Sequence, residues 1–188
     1  NAETGWGRGG ETFHFVDSIE KDGVPTWFKL GDRDRATHVR RTELLSEGYT
    51  LSYITEELCR RLGISADVVP MSDDSVRTVI QSVEGDLPFQ EYFVRRRCEP
   101  ALVDVSFVGA ESATMAPKFS AALISADALI FCPSNPIVSI GPILAIPGVE
   151  EAIRAFRGPK IAVSPIIDSQ AIKGPAAKMM GELGLDVS

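Results

Sequence analysis

The chain has few of the residues that build disulfide frameworks and metal clusters. It contains three cysteines and two histidines in 188 residues. Cys59, Cys98 and Cys132 are odd in number, far apart and set in apolar or strand-like surroundings. That excludes a closed disulfide framework and reads as reduced thiols in a cytoplasmic protein. His14 and His38 belong to no spaced Cys/His set, so a structural zinc site is not expected. No apolar run approaches the roughly 20 residues of a membrane span, and nothing resembles a secretory leader. Positive charge is scarce too, with 19 Lys and Arg against 26 Asp and Glu and a net charge of −7. A nucleic-acid partner is therefore unexpected, although a local group of cations can still hold a phosphate.

What is present is the composition of a globular protein, 44% hydrophobic and 24% charged, in a length that suits one domain. The most organised stretch is CPSNPIVSIGPILAIPG, residues 132–148. Asp127-Ala-Leu-Ile-Phe-Cys132 ahead of it is the short apolar run of a buried parallel strand. Pro133 and Pro136 stop that strand, and Ser134, Asn135 and Ser139 keep hydroxyl and amide groups at its carboxyl end, where open α/β sheets bind ligands. The same residues also suit a proline-rich connector. Near the start, Gly5-Trp6-Gly7-Arg8-Gly9-Gly10 matches the spacing G-x-G-x-x-G, but no strand precedes it, so the dinucleotide reading is rejected.

In chain order, Phe13, Val16 and Ile19 give 11–21 the spacing of an amphipathic helix closed by Gly23. Gly31-Asp32-Arg33-Asp34-Arg35-Ala36-Thr37-His38 opens a helix running to about Glu47. Asp34 is placed to cap it. A helix start beside Lys29, Arg33 and Arg35 equally favours a phosphate, with Asp32 or Asp34 available to a divalent cation. Residues 50–62 form a helix ending at Gly63, 66–71 a strand, and 72–75 a polar turn. Residues 76–82 and 87–94 read as a hairpin around Glu84-Gly85-Asp86, ended by Arg95-Arg96-Arg97, which suits a solvated strand edge or a phosphate contact. From Leu102 onward strands and helices alternate: 102–108, 117–125, 128–132, 149–156, 160–163 and 175–183. That alternation implies an α/β fold with parallel strands and crossover helices. Ser164-Pro165 repeats the strand-then-Ser/Pro arrangement of 132–136. Two neighbouring strands then present hydroxyls at one sheet edge.

Taken together, WFKLGDRDRATH at 27–38, PMSDD at 70–74, PSNPIVSIGPILAIPG at 133–148, and SPII with KGPA at 164–176 resemble the 2-phospho-L-lactate transferase family over nearly the whole chain. The resemblance implies a Rossmann-like parallel sheet flanked by helices with a small α+β insertion. Within it, 1–64 is a helical acceptor-side region, 65–98 a hairpin region and 99–188 the Rossmann-like half. It further implies a magnesium-dependent enzyme, working as a cytoplasmic homodimer, that moves a phospholactyl or phosphoenolpyruvyl group from a GDP-linked three-carbon acid to the deazaflavin FO. The products are a coenzyme F-420 precursor and GMP.

Carried across the matching motifs, Ser134, Asn135, Pro136, Ser139 and Ser164 correspond to the nucleotide loop. Lys29, Thr12, Thr37 and His38 fall on the acceptor side, with Asp32 and Asp34 as the catalytic carboxylates. Family members begin with a strand and a GGTG-type phosphate loop, followed by a segment carrying acidic groups. The sequence here starts after both, so the main metal ligands are expected outside it, and it also stops before the family's final strand and helix. Asp168 stands where the family pattern SPIIG has glycine. A second reading is a non-catalytic protein of the same superfamily that binds nucleotides or nucleotide sugars and acts in regulation. Deazaflavin binding separates the two.

Overall fold

The computed structural model describes residues 9–187. The chain forms two compact units, Asn1–Val68 and Val69–Ser188, and each is described by itself.

The first unit is helical. Helix α1 spans His14–Lys21, α2 Asp32–Ser46 and α3 Leu51–Arg61. Thr50 caps α3 by accepting a hydrogen bond from the Tyr53 N–H at 3.2 Å, and the chain leaves α3 through Gly63 at φ +68°, a left-handed conformation that suits glycine. Each helix buries one residue, Val16, Leu44 and Ile54 respectively. Helix α2 is polar nearly all round, and Leu44 in its last turns anchors it. The segment 66–71, expected to be a strand, has no ladder partner. Its β-rich composition specifies an extended backbone but supplies no neighbour to pair with.

The second unit opens with strands β1 Arg77–Ser82, β2 Gly85–Pro88 and β3 Leu102–Val108, in the order β2-β1-β3 and antiparallel throughout. Ser82 Oγ fastens the hairpin by donating to the Gly85 carbonyl at 2.8 Å. Two sequence expectations are corrected. The second hairpin strand ends at Pro88 and gives way to a π-helical turn, Glu91–Arg95. Strand β3 returns antiparallel beside β1, because an apolar run does not encode direction. Two of the three consecutive arginines are tied down, Arg95 to Glu91 and Arg96 to Glu84.

Helix α4, Pro117–Ser125, then leads to β4 Leu129–Phe131. A π-helical turn at Pro136–Ile140 runs into α5 Gly141–Leu144 and α6 Val149–Ala155, followed by β5 Lys160–Ala162. Strands β4 and β5 are parallel, with Ile130 opposite Ile161. The parallel pairing expected from Leu102 therefore begins, among the described residues, only at β4. A small antiparallel pair, β6 Ile166–Ile167 and β7 Gln170–Ala171, precedes α7 Ala176–Glu182. One core cluster joins Ile80, Tyr92, Cys98, Leu102 and Met179, and a second joins Ala113, Ile146 and Val149.

Candidate functional site

In the first unit the chemically dense turn is held by two helices that cap each other. The Asp32 carboxylate, at the start of α2, accepts from the backbone N–H of His14 (3.1 Å) and Phe15 (3.2 Å) at the start of α1, and from the Thr12 hydroxyl at 2.7 Å. In return, Glu11 just before α1 accepts from the N–H of Arg33 (2.9 Å) and Asp34 (3.1 Å) in the first turn of α2. The Asp32 N–H adds a bond to the Thr12 carbonyl at 2.8 Å. The N-terminal N–H groups of a helix lack intrahelical partners, and here each set is satisfied by a carboxylate from the other helix. Gly31 makes this possible. A Cβ there would lie 2.4 Å from Cδ of Glu11.

The expectation that Asp34 caps α2 is thus corrected. Gly31 occupies the N-cap position and the capping carboxylate comes from Glu11. Glu11 was invisible to sequence reasoning because its partners lie more than 20 residues away, beyond any local capping signature. The Thr12 hydroxyl, with the Phe15 and His14 N–H groups behind it, holds the Asp32 carboxyl below the ordinary carboxylate range. Asp34 donates its backbone N–H to Glu11 and is half-buried. Thr37 donates to the Arg33 carbonyl at 3.1 Å, and His38 is exposed on α2. Lys29 lies 3.7 Å from Glu20. That is a surface pair, worth about 0–1 kcal/mol. A groove of about 590 Å³ opens beside the turn, lined by His14, Phe15, Asp32, Arg35, Val39 and Arg40 among others. The Arg35 guanidinium sits 3.9 Å over the Phe15 ring, a cation–π geometry.

In the second unit the parallel pairing of β4 and β5 places both strand exits on one edge. Val163 N–H bonds the Phe131 carbonyl at 3.0 Å, so 132–136 and 163–165 leave side by side. Asn135 Oδ1 accepts from the N–H of Ile137 (2.9 Å) and Val138 (3.2 Å), capping the turn that starts at Pro136. Its Nδ2 reaches Met179 Sδ at 3.5 Å. Ser164 Oγ accepts from the Ile166 N–H at 3.0 Å and so shapes its own turn. Ser134 is half-buried and Ser139 exposed. Asp168 and Ser169, between β6 and β7, both adopt positive φ, +50° and +60°. Asp168, at the position where the family pattern carries glycine, thus holds a left-handed conformation of the kind glycine favours.

Asp32 and Asp34 do not together make a magnesium site. Among the described residues no three His, Cys, Asp or Glu side chains converge. Asp32 and Asp34 are two residues apart on one helix and face different sides. The two oxygens of Asp32 already accept three hydrogen bonds.

Comparison with known proteins adds the following. The family model described as 2-phospho-L-lactate transferase CofD matches residues 14–187. The chain is 44% identical over 191 residues to a phosphoenolpyruvate transferase of Streptomyces coelicolor, covering 99% of this chain and 60% of that protein. It is 44% identical over 190 residues to the phosphoenolpyruvate transferase of Mycobacterium leprae, covering 97% and 57%. The chain thus spans about three-fifths of the length of these curated relatives. Among solved structures, a UPF0052-family protein from Bacillus halodurans aligns with 62% of this chain and 37% of its own, at TM-score 0.51 and 19% identity. That is a likeness of fold.

Proposed function

From the chain's membership of the 2-phospho-L-lactate transferase family, matched over 14–187, we propose that the protein carrying this sequence is a transferase of coenzyme F-420 biosynthesis. It moves a three-carbon phosphoester group from a GDP-linked donor to the deazaflavin FO. The 44% identity to phosphoenolpyruvate transferases over 99% of the chain favours the phosphoenolpyruvyl donor over the phospholactyl one. The observation that carries the reading is that one family match runs through all four motifs in order.

In this reading an FO hydroxyl oxygen attacks the phosphorus that bears the three-carbon acid. The new O–P bond forms as the anhydride bond to GMP breaks, and GMP leaves with the electron pair. Such transfers depend mainly on positioning and on stabilising charge at the phosphoryl oxygens. Asp34 is assigned the acceptor proton, since its carboxylate takes no part in capping. Asp32 fixes the turn through its three hydrogen bonds. Lys29, Thr12, Thr37 and His38 are assigned to the acceptor. Ser134, Asn135, Pro136, Ser139 and Ser164 are assigned to the guanine nucleotide. Magnesium belongs to the proposal as the ion that would offset charge on the phosphoryl oxygens; Asp32 and Asp34 do not together form a site for it. A Rossmann-like sheet containing β4 and β5, a homodimer and a cytoplasmic location belong to the same proposal.

Mass spectrometry of FO incubated with the native polypeptide, magnesium and the GDP-linked phosphoenolpyruvate donor tests it. The expected result is FO heavier by one phosphoenolpyruvyl group. FO of unchanged mass with donor and protein intact refutes it.

A further inference from the structure

A helix that packs on a neighbour places apolar residues at i, i+4, i+7 and i+11 along the contact. On α2 the stripe facing α3 reads Arg33, Thr37, Arg40 and Leu44, and of these only Leu44 is buried, at 3% exposure. Where the other three stand, the helices leave a groove of about 360 Å³. It is lined by Arg33, Ala36, Thr37 and Arg40 of α2, by Leu58 and Arg61 of α3 and by Leu62 just after it. Three guanidinium groups line it and no carboxylate does. The counter-charges lie outside: Glu43 takes Arg40 through Nη1 at 2.6 Å, and Glu57 takes Arg61 through Nε at 2.6 Å while also holding Arg60. The Arg40 Nε–H is shielded from water and has no acceptor among the described residues.

Apolar residues on this stripe would have closed the helix pair and stabilised it. The chain instead lines the groove with three guanidinium groups, two of them paired with glutamates outside it, and leaves a shielded donor of Arg40 unmatched among the described residues, an arrangement with donor capacity left for an incoming anion. We propose that the α2–α3 groove is an oxyanion site that takes a phosphate-class ligand on Arg33, Arg40 and Arg61. Guanidinium groups match phosphate oxygens in pairs, which single ammonium groups do not. The ligand lies along the side of α2, because the N–H groups at the helix start are occupied by Glu11. The inference does not depend on the transferase reading.

Calorimetric titration of the chain with inorganic pyrophosphate at low salt tests it. Saturable binding at one site per chain is expected, weakened at least tenfold by Arg33→Gln combined with Arg61→Gln. Arg154→Gln, which removes a guanidinium paired with Glu150 in the second unit, should bind as wild type does. Thr37→Leu supplies a second arm: an apolar side chain on the stripe fills the groove, raising the melting temperature while abolishing binding. Guanosine, which lacks the phosphate, should not compete with pyrophosphate; competition by guanosine would place the binding on the nucleoside and overturn the proposal. No saturable pyrophosphate binding, or unchanged affinity in the double arginine variant or in Thr37→Leu, overturns the proposal.

Discussion

Gly31→Ala should destabilise the first unit by evicting Glu11 from its cap, and only while Glu11 is there to be evicted. Gly31 has φ −65° and ψ 158°, a conformation alanine adopts without strain. The obstacle is spatial. The new methyl would stand 2.4 Å from Cδ and 2.5 Å from Oε2 of Glu11, so the carboxylate must swing out and release the Arg33 and Asp34 N–H groups. Losing a helix cap costs about 0.5–2 kcal/mol, and Glu11→Ala alone should cost about the same. With Glu11 already gone, the alanine at 31 should be close to neutral. Its narrower unfolded ensemble contributes about 0.4–1 kcal/mol and offsets alanine's weaker preference for an N-cap. The double variant should therefore lose about 1 kcal/mol rather than about 2 kcal/mol, a coupling of about 1 kcal/mol. Urea denaturation followed by tryptophan fluorescence reads this unit, because Trp27 belongs to it and residues 69–188 contain no tryptophan. A change of 1 kcal/mol moves the midpoint by about 0.3–1 M. Additive costs in the double variant, or a Gly31→Ala midpoint equal to wild type, would refute the reciprocal cap.

Asp168→Gly and Ser169→Gly should each stabilise the chain by about 1 kcal/mol, since both positions hold left-handed φ in a two-residue hairpin turn that favours glycine; the readout is a melting temperature about 2–4 °C higher. Asp74 accepts from the Thr114 N–H (2.8 Å) and hydroxyl (3.0 Å), and these bonds, with Ser72 behind them, hold its carboxyl below the ordinary value of 3.8. A depressed folded-state value stabilises above the unfolded value and loses that effect as pH falls through the folded one, so Asp74→Asn should flatten the fall in urea midpoint below pH 3.8. Asn135→Ala removes two caps of the 136–140 turn and should cost about 1 kcal/mol together with weaker GDP binding by calorimetry; a wild-type melt would remove the capping role.

The helices were the most legible part of the fold. Gly63 after α3, Pro117 at the start of α4 and the apolar stripe of α3 are local signals, and they fixed those elements within a few residues. Strand direction was not legible. Leu102–Val108 has the same apolar composition whether it joins a parallel sheet or returns beside β1, and only the partner strand decides. The 132–136 and 163–165 exits were placed correctly on one edge because β4 and β5 are neighbours. At the GDRD turn the sequence assigned Asp34 a cap that Glu11 provides. Bonds spanning more than 20 residues leave no trace in spacing. The single available clue was Gly31, a residue whose missing side chain made room for something.

The central claim is that group transfer to FO and release of GMP are one event. Chromatographic quantitation of GMP from the native polypeptide, magnesium and the GDP-linked phosphoenolpyruvate donor, with and without FO, tests it most directly. The account predicts GMP equal in amount to the FO consumed, and essentially none when FO is omitted. GMP released at the same rate without FO would contradict it.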